Sequence, residues 1–136
     1  MSESRRPRGL ADTGVIVDLE RIDPAELPVE VAISAVTLAE LAAGPHVNTD
    51  PEERARRQDR LQRAEATFDV FPFDAAAARA YGRLYATVQA AGRKARGRRA
   101  LDLLIAATAL AAELPLYTRN PDDFDGLGSL IEIIAV

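Results

Sequence analysis

Short apolar runs along the chain alternate with longer segments in which apolar residues recur every three or four positions. The short runs predict strands, because they are rich in β-branched residues and end at polar or turn-forming positions. These strands are expected up to Asp12 and at residues 30–36, 68–73, 114–118 and 129–136. The segments between them predict helices at residues 37–44, 51–67, 75–92 and 99–112.

This alternation of strands and helices predicts the fold class. Strands that are separated by helices favour parallel pairing, because each connection must cross over the sheet. We therefore expect a three-layer α/β/α fold around a mainly parallel sheet of four to five strands. No repeat, linker or low-complexity segment divides residues 1–136, so a single domain is expected. In such folds the binding site lies beyond the carboxyl ends of the strands.

The composition narrows the chemistry that such a site can use. Cysteine is absent and His46 is the one histidine, which excludes thiolate nucleophiles, two-histidine zinc sites and paired-histidine nuclease chemistry. Catalysis is therefore expected to depend on carboxylates. No apolar run approaches the ~20 residues that span a bilayer, and the N-terminus lacks the apolar segment of a signal peptide. The expectation is a cytoplasmic protein without membrane contact.

The charge of the chain is unevenly distributed. A net charge of −4 disfavours nucleic-acid binding, but cations cluster at residues 54–63 and 93–99. Local clusters of this kind bind phosphate groups whatever the net charge. The candidate phosphate-binding residues of the second cluster are Arg93, Lys94, Arg96, Arg98 and Arg99. The alternative is that both clusters are ordinary solvated surface.

Acidic residues stand at the positions where a parallel sheet gathers its functional groups. They are Asp12 at the end of the first strand, Glu40 and Asp102 in the first turns of two helices, and Asp122 and Asp123 in the loop after the fourth strand. If the sheet is parallel, all of these positions can meet at one edge. Carboxylates that share a pocket repel each other, and a divalent cation removes that repulsion. A site of oxygen ligands alone suits Mg²⁺ or Mn²⁺.

Each acid also has a purely structural explanation. Glu40 follows Thr37 by three residues, which is the spacing of a capping box. Asp102 could pair with Arg98 or Arg99 near the start of its helix. The acid that ends the first strand could cap the turn that follows it. Taken one at a time, these explanations are as good as a metal site, and the case for the site depends on the acids taken together.

With these residues identified, the chain resembles the PIN-domain family, and within it the VapC toxins of bacterial toxin–antitoxin pairs. Four segments that span most of the chain carry the resemblance. They are "LADTGVIVDLE", "ISAVTLAELAAG", "RALDLLIAATALAAELPLYTRNPDDF" and "IEIIAV". The resemblance implies an endoribonuclease that cuts single-stranded or loop regions of RNA with Mg²⁺ or Mn²⁺.

The resemblance also implies a role for each acid. Asp12 and Asp102 correspond to the direct metal ligands, and Glu40 and Asp123 to residues that complete the shell or hold its waters. Asp122 and Asn120 are the alternatives to Asp123. The run at residues 93–99 would then bind the phosphates of RNA. The chain departs from the family at Gly14, where a Ser or Thr is usual, and at Asn120, where many relatives have an acid.

The resemblance implies two partners besides RNA, a cognate VapB-type antitoxin and a second copy of the chain in a homodimer. Two other functions are compatible with the sequence. One is a different Mg²⁺-dependent phosphoryl-transfer or hydrolase domain, such as a receiver-like module, although the only lysine, Lys94, precedes a helix and does not end a strand. The other is a binding module of the same fold whose catalytic site has decayed, for which Gly14 is the relevant feature.

Overall fold

A computed structural model of the chain describes residues 5–94 and 96–136, and it contains one sheet of five parallel strands. In chain order the strands are β1 (Arg8–Ala11), β2 (Glu30–Ser34), β3 (Asp69–Phe71), β4 (Leu116–Thr118) and β5 (Ile133–Ala135). Their order across the sheet is β3-β2-β1-β4-β5, and every neighbouring pair is parallel. The predicted fold class is therefore confirmed.

Helices connect the strands. They are α1 (Thr13–Val17), α2 (Ala35–Ala43), α3 (Pro51–Thr67), α4 (Ala75–Ala90) and α5 (Arg98–Ala112). Short 3₁₀ segments lie at Leu19–Arg21, Pro24–Glu26, Gly44–Val47 and Pro121–Phe124. In residues 5–94 and 96–136, no helix combines the length and the apolar character needed to cross a membrane.

Alternation along the strands divides the buried residues between the two faces of the sheet. Leu10, Ala32 and Leu116 belong to a core that includes α4 and α5. Their immediate neighbours Ala11, Ile33 and Tyr117 belong to a second core with α1, α2 and α3. Successive side chains of a strand point to opposite faces, so each face carries its own layer of helices. This arrangement produces the three layers that the alternating sequence predicts.

The start of α2 differs from the prediction for a local chemical reason. The strand before it ends at Ser34 and not at residue 36, because the Ser34 hydroxyl accepts a hydrogen bond from the Thr37 N–H at 3.0 Å and caps the helix. Thr37 is therefore inside the helix, and the alternative explanation of Glu40 as part of a capping box with Thr37 is wrong. Glu40 lies in the second turn and not in the first, and its carboxylate is free for other contacts.

Other boundaries differ by a few residues. The helix α5 begins at Arg98 and not at residue 99, so Asp102 stands at the start of its second turn and not in the first. The closing strand begins at Ile133, whereas the sequence predicts it from residue 129. None of these differences moves a strand end to the other edge of the sheet, so the acids keep their predicted places at the carboxyl edge.

Candidate metal centre

Beyond the carboxyl ends of β1 and β4 lies a small cavity of about 60 Å³, which we call the acid cavity. The side chains and backbone that line it are those of Asp12, Thr13, Gly14, Glu40, Arg98, Asp102, Ile105, Arg119, Asn120 and Asp123. All four acids that the sequence predicts as site residues are among them. They come from four separate segments of the chain, and the parallel sheet brings them together.

Asp12 is held by backbone contacts at the end of β1. Its N–H donates to the Tyr117 carbonyl at 3.0 Å, and its carboxylate accepts the Val15 N–H at 3.0 Å and so caps α1. Only 9% of the residue is exposed, and this burial raises the pKa of Asp12. Repulsion from Asp123 raises the pKa further, whereas the hydrogen bonds from Val15 and the Thr118 side chain lower it. Asp12 is thus both a helix cap and a constrained member of the cavity.

Asp102 faces the same cavity from the second turn of α5. Burial, followed by repulsion from Asp123, raises the pKa of Asp102 to about 6. Asp12 and Glu40 also raise it, and the Arg98 guanidinium lowers it. The alternative explanation of Asp102, an ion pair with Arg98 or Arg99, is wrong for the described residues. Arg98 pairs with Glu40, and neither arginine forms an ion pair with Asp102. Burial is thus the main cause of the raised pKa of Asp102, and the charge of neighbouring acids adds to it.

Glu40 is oriented by hydroxyl groups. The Thr13 hydroxyl donates to its Oε1 at 2.6 Å, and Arg98 Nη1 lies 3.6 Å from its Oε2. The Thr13 hydroxyl is also 3.1 Å from that of Thr37, which is fully buried. This chain of contacts fixes the carboxylate of Glu40 at the cavity, and it explains why the polar Thr37 is accommodated in the core.

The loop after β4 supplies Asp123 rather than Asp122. Asp123 is half-buried and lines the acid cavity together with Asn120, whereas Asp122 is exposed and is not part of the lining. The short 3₁₀ segment at Pro121–Phe124 causes this difference, because neighbouring residues of such a turn point in different directions. Phe124, directly after Asp123, is buried and anchors the turn in the core.

The cations predicted to bind phosphate take different positions. Arg98 lines the acid cavity, whereas Arg93 donates to the Asp125 carboxylate at 2.5 Å. Lys94 and Arg96 are exposed, and Arg99 is half-buried. The run at residues 93–99 therefore places one of its five cations directly beside the acids.

The donor set of the acid cavity fits Mg²⁺ or Mn²⁺ bound partly through water. Within residues 5–94 and 96–136, no three acidic or histidine side chains are close enough to ligate one ion together. Mg²⁺ commonly takes one or two carboxylates directly and keeps several waters. A cavity of about 60 Å³ corresponds to about two waters at ~30 Å³ each, so it has room for a small ion and part of its water shell.

Several residues in or beside the cavity were not predicted from the sequence. Thr13 holds Glu40, and Arg119 lies in the wall and pairs with Asp18 at 3.4 Å. Thr118 is not part of the lining, but its side chain lowers the pKa of Asp12. Thr13 directly follows the acid of β1, and Thr118 is the last residue of β4. Thr118 could have been predicted as a residue of the site, because it is a polar residue at the end of a buried parallel strand.

Comparison with known proteins identifies the family. A family model described as PIN domain matches residues 10–129. Ribonuclease VapC5 of Mycobacterium tuberculosis (strain ATCC 25618 / H37Rv) is 38% identical over 134 residues, which are 94% of this chain and 95% of that protein. Ribonuclease VapC8 of Mycobacterium tuberculosis (strain CDC 1551 / Oshkosh) is 39% identical over 110 residues, or 80% and 96% of the two chains.

A solved structure agrees with the sequence comparisons. The crystal structure of VapBC-5 from Mycobacterium tuberculosis, a member of the VapBC family of toxin–antitoxin systems, contains a chain that superposes with a TM-score of 0.84. That chain is 37% identical, and the match covers 96% of this chain and 99% of the other. The family model covers all four segments that line the acid cavity, and the VapC5 and VapBC-5 comparisons extend over 94% and 96% of this chain. The chain therefore belongs to the PIN-domain family and, within it, to the VapC proteins.

Proposed function

We propose that this protein is a metal-dependent endoribonuclease toxin that cleaves single-stranded or loop regions of RNA. The observation that carries the proposal is the acid cavity, where four carboxylates from separate elements surround a space suited to one hydrated cation. Two relatives named ribonucleases, each at least 38% identical, support the reaction. We propose that one domain, spanning the whole chain, carries this activity.

The cofactor in this proposal is Mg²⁺ or Mn²⁺. Asp12 and Asp102 would bind the ion directly, while Glu40 and Asp123 would hold its waters. When bound, the ion would supply a water of lowered pKa and neutralise charge on the phosphodiester. Side chains of the protein position the acids around the ion. Thr13 holds Glu40 in place through its 2.6 Å hydrogen bond.

Arg98 is suited to contact the phosphate that is cut. It lines the acid cavity and carries the positive charge that lies nearest to Glu40 among the described ion pairs. Its side chain is 69% exposed, so the guanidinium can turn from Glu40 to an incoming phosphate when a metal ion occupies the cavity. Arg93, Lys94, Arg96 and Arg99 would contribute at longer range to RNA binding.

The proposed partners follow from the relatives. The VapBC-5 structure is that of a toxin–antitoxin system, so we propose a cognate VapB-type antitoxin as the inhibitor of this protein. We also propose a homodimer as the form that binds the antitoxin. An enzyme that cuts cellular RNA acts where that RNA is translated, and we therefore place it in the cytoplasm.

The substitution Asp102→Asn tests this function, with Asp122→Asn as its matched control. Both replace an aspartate by its isosteric amide, but Asp102 lines the acid cavity and Asp122 does not. We expect Asp102→Asn to abolish Mn²⁺-dependent RNA cleavage and growth arrest. The loss should exceed the ~10–100-fold that removal of an outer-shell partner of a metal site costs. Asp122→Asn should retain the activity of the parent protein.

Two results would contradict the proposal. The first is normal cleavage by an Asp102→Asn protein whose folding is confirmed by circular dichroism. The second is a parent protein that binds no Mn²⁺ at neutral pH in a calorimetric titration, which would favour the decayed binding module. A Cβ at Gly14 would lie 3.6 Å from Asp12 Oδ1, an ordinary contact distance, so the position has room for the Ser or Thr that is usual in the family.

A further inference from the structure

A second and larger cavity adjoins the acid cavity, and we call it the flanking cavity. It has a volume of about 410 Å³ and lies between α2, the 3₁₀ turn Gly44–Val47 and α3. Thr13, Glu40 and Arg98 line both cavities, so the two spaces are neighbours that share these residues as a common wall. Any chain that places a phosphate at the acid cavity therefore has the flanking cavity directly beside it.

The wall formed by α3 is positively charged. Arg57 and Arg60 line the flanking cavity from this helix, and Arg98 joins them from α5. Arg60 also borders a neighbouring cavity between α1 and α3. Three arginines face two carboxylates, those of Glu40 and Glu53, which leaves one excess positive charge. A net positive lining next to an acidic site attracts an anion that the acids themselves would repel.

Arg57 and Arg60 differ in how far they are already engaged. Arg57 donates to the Gly44 carbonyl at 3.0 Å, and its Nε lies 3.7 Å from the Glu53 carboxylate. Arg60 is half-buried at the cavity, and no carboxylate of residues 5–94 or 96–136 pairs with it. Arg57 therefore helps to form the wall, and the guanidinium of Arg60 is available to a ligand.

Apolar side chains complete the lining. Val17 is 43% exposed and Val47 is 73% exposed, and both border the flanking cavity together with Leu41. Cations that track the backbone are one of the features that bind single-stranded nucleic acid, and the aliphatic side chains add an apolar surface beside them. A volume of about 410 Å³ suits a ligand of nucleotide size, whereas the acid cavity of about 60 Å³ suits an ion.

We propose that the flanking cavity binds the nucleotide next to the phosphate that is cut, with Arg60 as the residue that holds its phosphate. Val17 and Val47 contact the ribose and base of this nucleotide. The inference rests on the proposed ribonuclease function, and it adds a positioning residue from α3 that the acids and the run at residues 93–99 do not include. Single-stranded RNA would thus contact α3 as well as the start of α5.

The salt dependence of RNA binding tests the role of Arg60. The probe is a fluorescent single-stranded RNA of twelve nucleotides, measured by anisotropy in EDTA over a series of KCl concentrations. All proteins carry Asp102→Asn so that the RNA stays intact. Arg60→Gln should lower the slope of log K against log[KCl] by about 0.7, the value for one lost phosphate contact on a single strand.

Arg54→Gln is the matched control, because Arg54 is an exposed arginine of the same helix that does not line the cavity. It should leave the slope unchanged. An equal loss of slope in both variants would overturn the proposal, as would an unchanged slope in Arg60→Gln or the absence of measurable RNA binding. A weaker complex with the antitoxin, together with an unchanged RNA slope, would assign the flanking cavity to the protein partner instead.

A second pair of variants tests the cavity without altering an arginine. Val47→Glu places a negative charge at the mouth of the flanking cavity, and Val29→Glu places it at another exposed valine outside it. We expect Val47→Glu to weaken RNA binding at least tenfold and Val29→Glu to change it less than twofold. Equal effects would contradict the proposal. If Asp102→Asn loses cleavage but the variants of each pair do not differ in RNA binding, the ribonuclease function is supported and only the flanking subsite is contradicted.

Discussion

At the level of single residues, the acid cavity brings carboxylates together and raises the pKa of two of them, Asp12 and Asp102. Burial and the charge of Asp123 raise the pKa of Asp102 to about 6, and burial raises the pKa of Asp12 as well. The Arg98 guanidinium, which lies 3.6 Å from the carboxylate of Glu40, partly lowers the pKa of Asp102 again. The negative charge of the carboxylates is therefore not fully balanced by the cations around them. A bound metal ion would stabilise their ionised forms.

The raised pKa of Asp102 predicts how metal binding depends on pH. Below pH 6 the carboxyl holds a proton in the metal-free protein, and a metal ion must displace it. We expect the apparent Mn²⁺ affinity to fall about tenfold per pH unit as the pH drops below about 6, and to level off above pH 7. Isothermal titration calorimetry between pH 5 and 8 measures this dependence.

The Asp122→Asn variant is the control for this measurement, because it removes an acid of the same loop that does not line the cavity. Its profile should match that of the parent. An affinity that stays constant from pH 5 to 8 would show that Asp102 does not hold a proton that the metal must displace, and it would contradict a direct role in binding.

Residue-scale chemistry was only partly accessible from the sequence. The four acids were predicted because each stands next to the end of a predicted strand or the start of a helix. The hydroxyls that orient them were not, since Thr13 and Thr37 meet through a contact between residues 24 positions apart. Only the packing of α1 against α2 brings these two side chains together.

At the scale of elements, the start of α5 determines where Arg98 and Asp102 lie. Gly97 caps the helix with φ +56° and ψ −129°, and no side chain caps it. This conformation is open almost only to glycine, because a Cβ would clash with the neighbouring backbone. The glycine thus permits the turn from which Arg98 reaches the acid cavity.

Two glycine substitutions with opposite expected signs test this requirement. Gly97→Ala should lower the free energy of unfolding by about 1–3 kcal/mol, because it forces alanine into a strained backbone conformation. Gly82→Ala should raise it by about 0.5–1 kcal/mol, since Gly82 lies inside α4 and a Cβ there meets no atom within 4 Å. Urea unfolding followed by circular dichroism measures both. A stabilising Gly97→Ala would contradict the strain at this position.

The elements themselves were largely predictable, and their ends were less so. The amphipathic pattern of α3 and the apolar pattern of α5 were sufficient to find both helices within a residue. The start of α2 was misplaced because Ser34 reads as part of a strand of β-branched residues. Whether a serine continues a strand or caps a helix depends on which backbone N–H its hydroxyl meets.

At the scale of the whole molecule, the acid cavity links stability to metal binding. The folded pKa of Asp102 lies above its ordinary value of 3.8, so its contribution to stability is present below pH 3.8 and is lost as the pH rises through about 6. For a group fully shielded from solvent, a pKa shift of this size changes the free energy of unfolding by about 3 kcal/mol. Because Asp102 is partly exposed to solvent, we expect a change of about 1–2 kcal/mol.

The metal-free Asp102→Asn protein should therefore be more stable than the parent at pH 7.5. We expect a rise in melting temperature on the order of 5 °C, because the amide removes the ionised carboxylate. Saturating Mn²⁺ should raise the melting temperature of the parent and leave that of Asp102→Asn nearly unchanged. Differential scanning calorimetry compares the four samples. An Asp102→Asn protein less stable than the metal-free parent would contradict the repulsion at the cavity.

The order of strands and helices and the residue types of the chain were enough to predict the layers of the fold and a site built on carboxylates. Alternating strands and helices favour a parallel sheet covered on both faces, and a chain that has no cysteine and one histidine leaves carboxylates as the candidate ligands. Which atoms meet depends on how the elements pack. This packing selected Asp123 over Asp122, turned Arg98 towards Glu40, and set the flanking cavity beside the acids. Periodicity along a chain fixes which face a residue takes, whereas distances across the sheet edge depend on how separate elements pack.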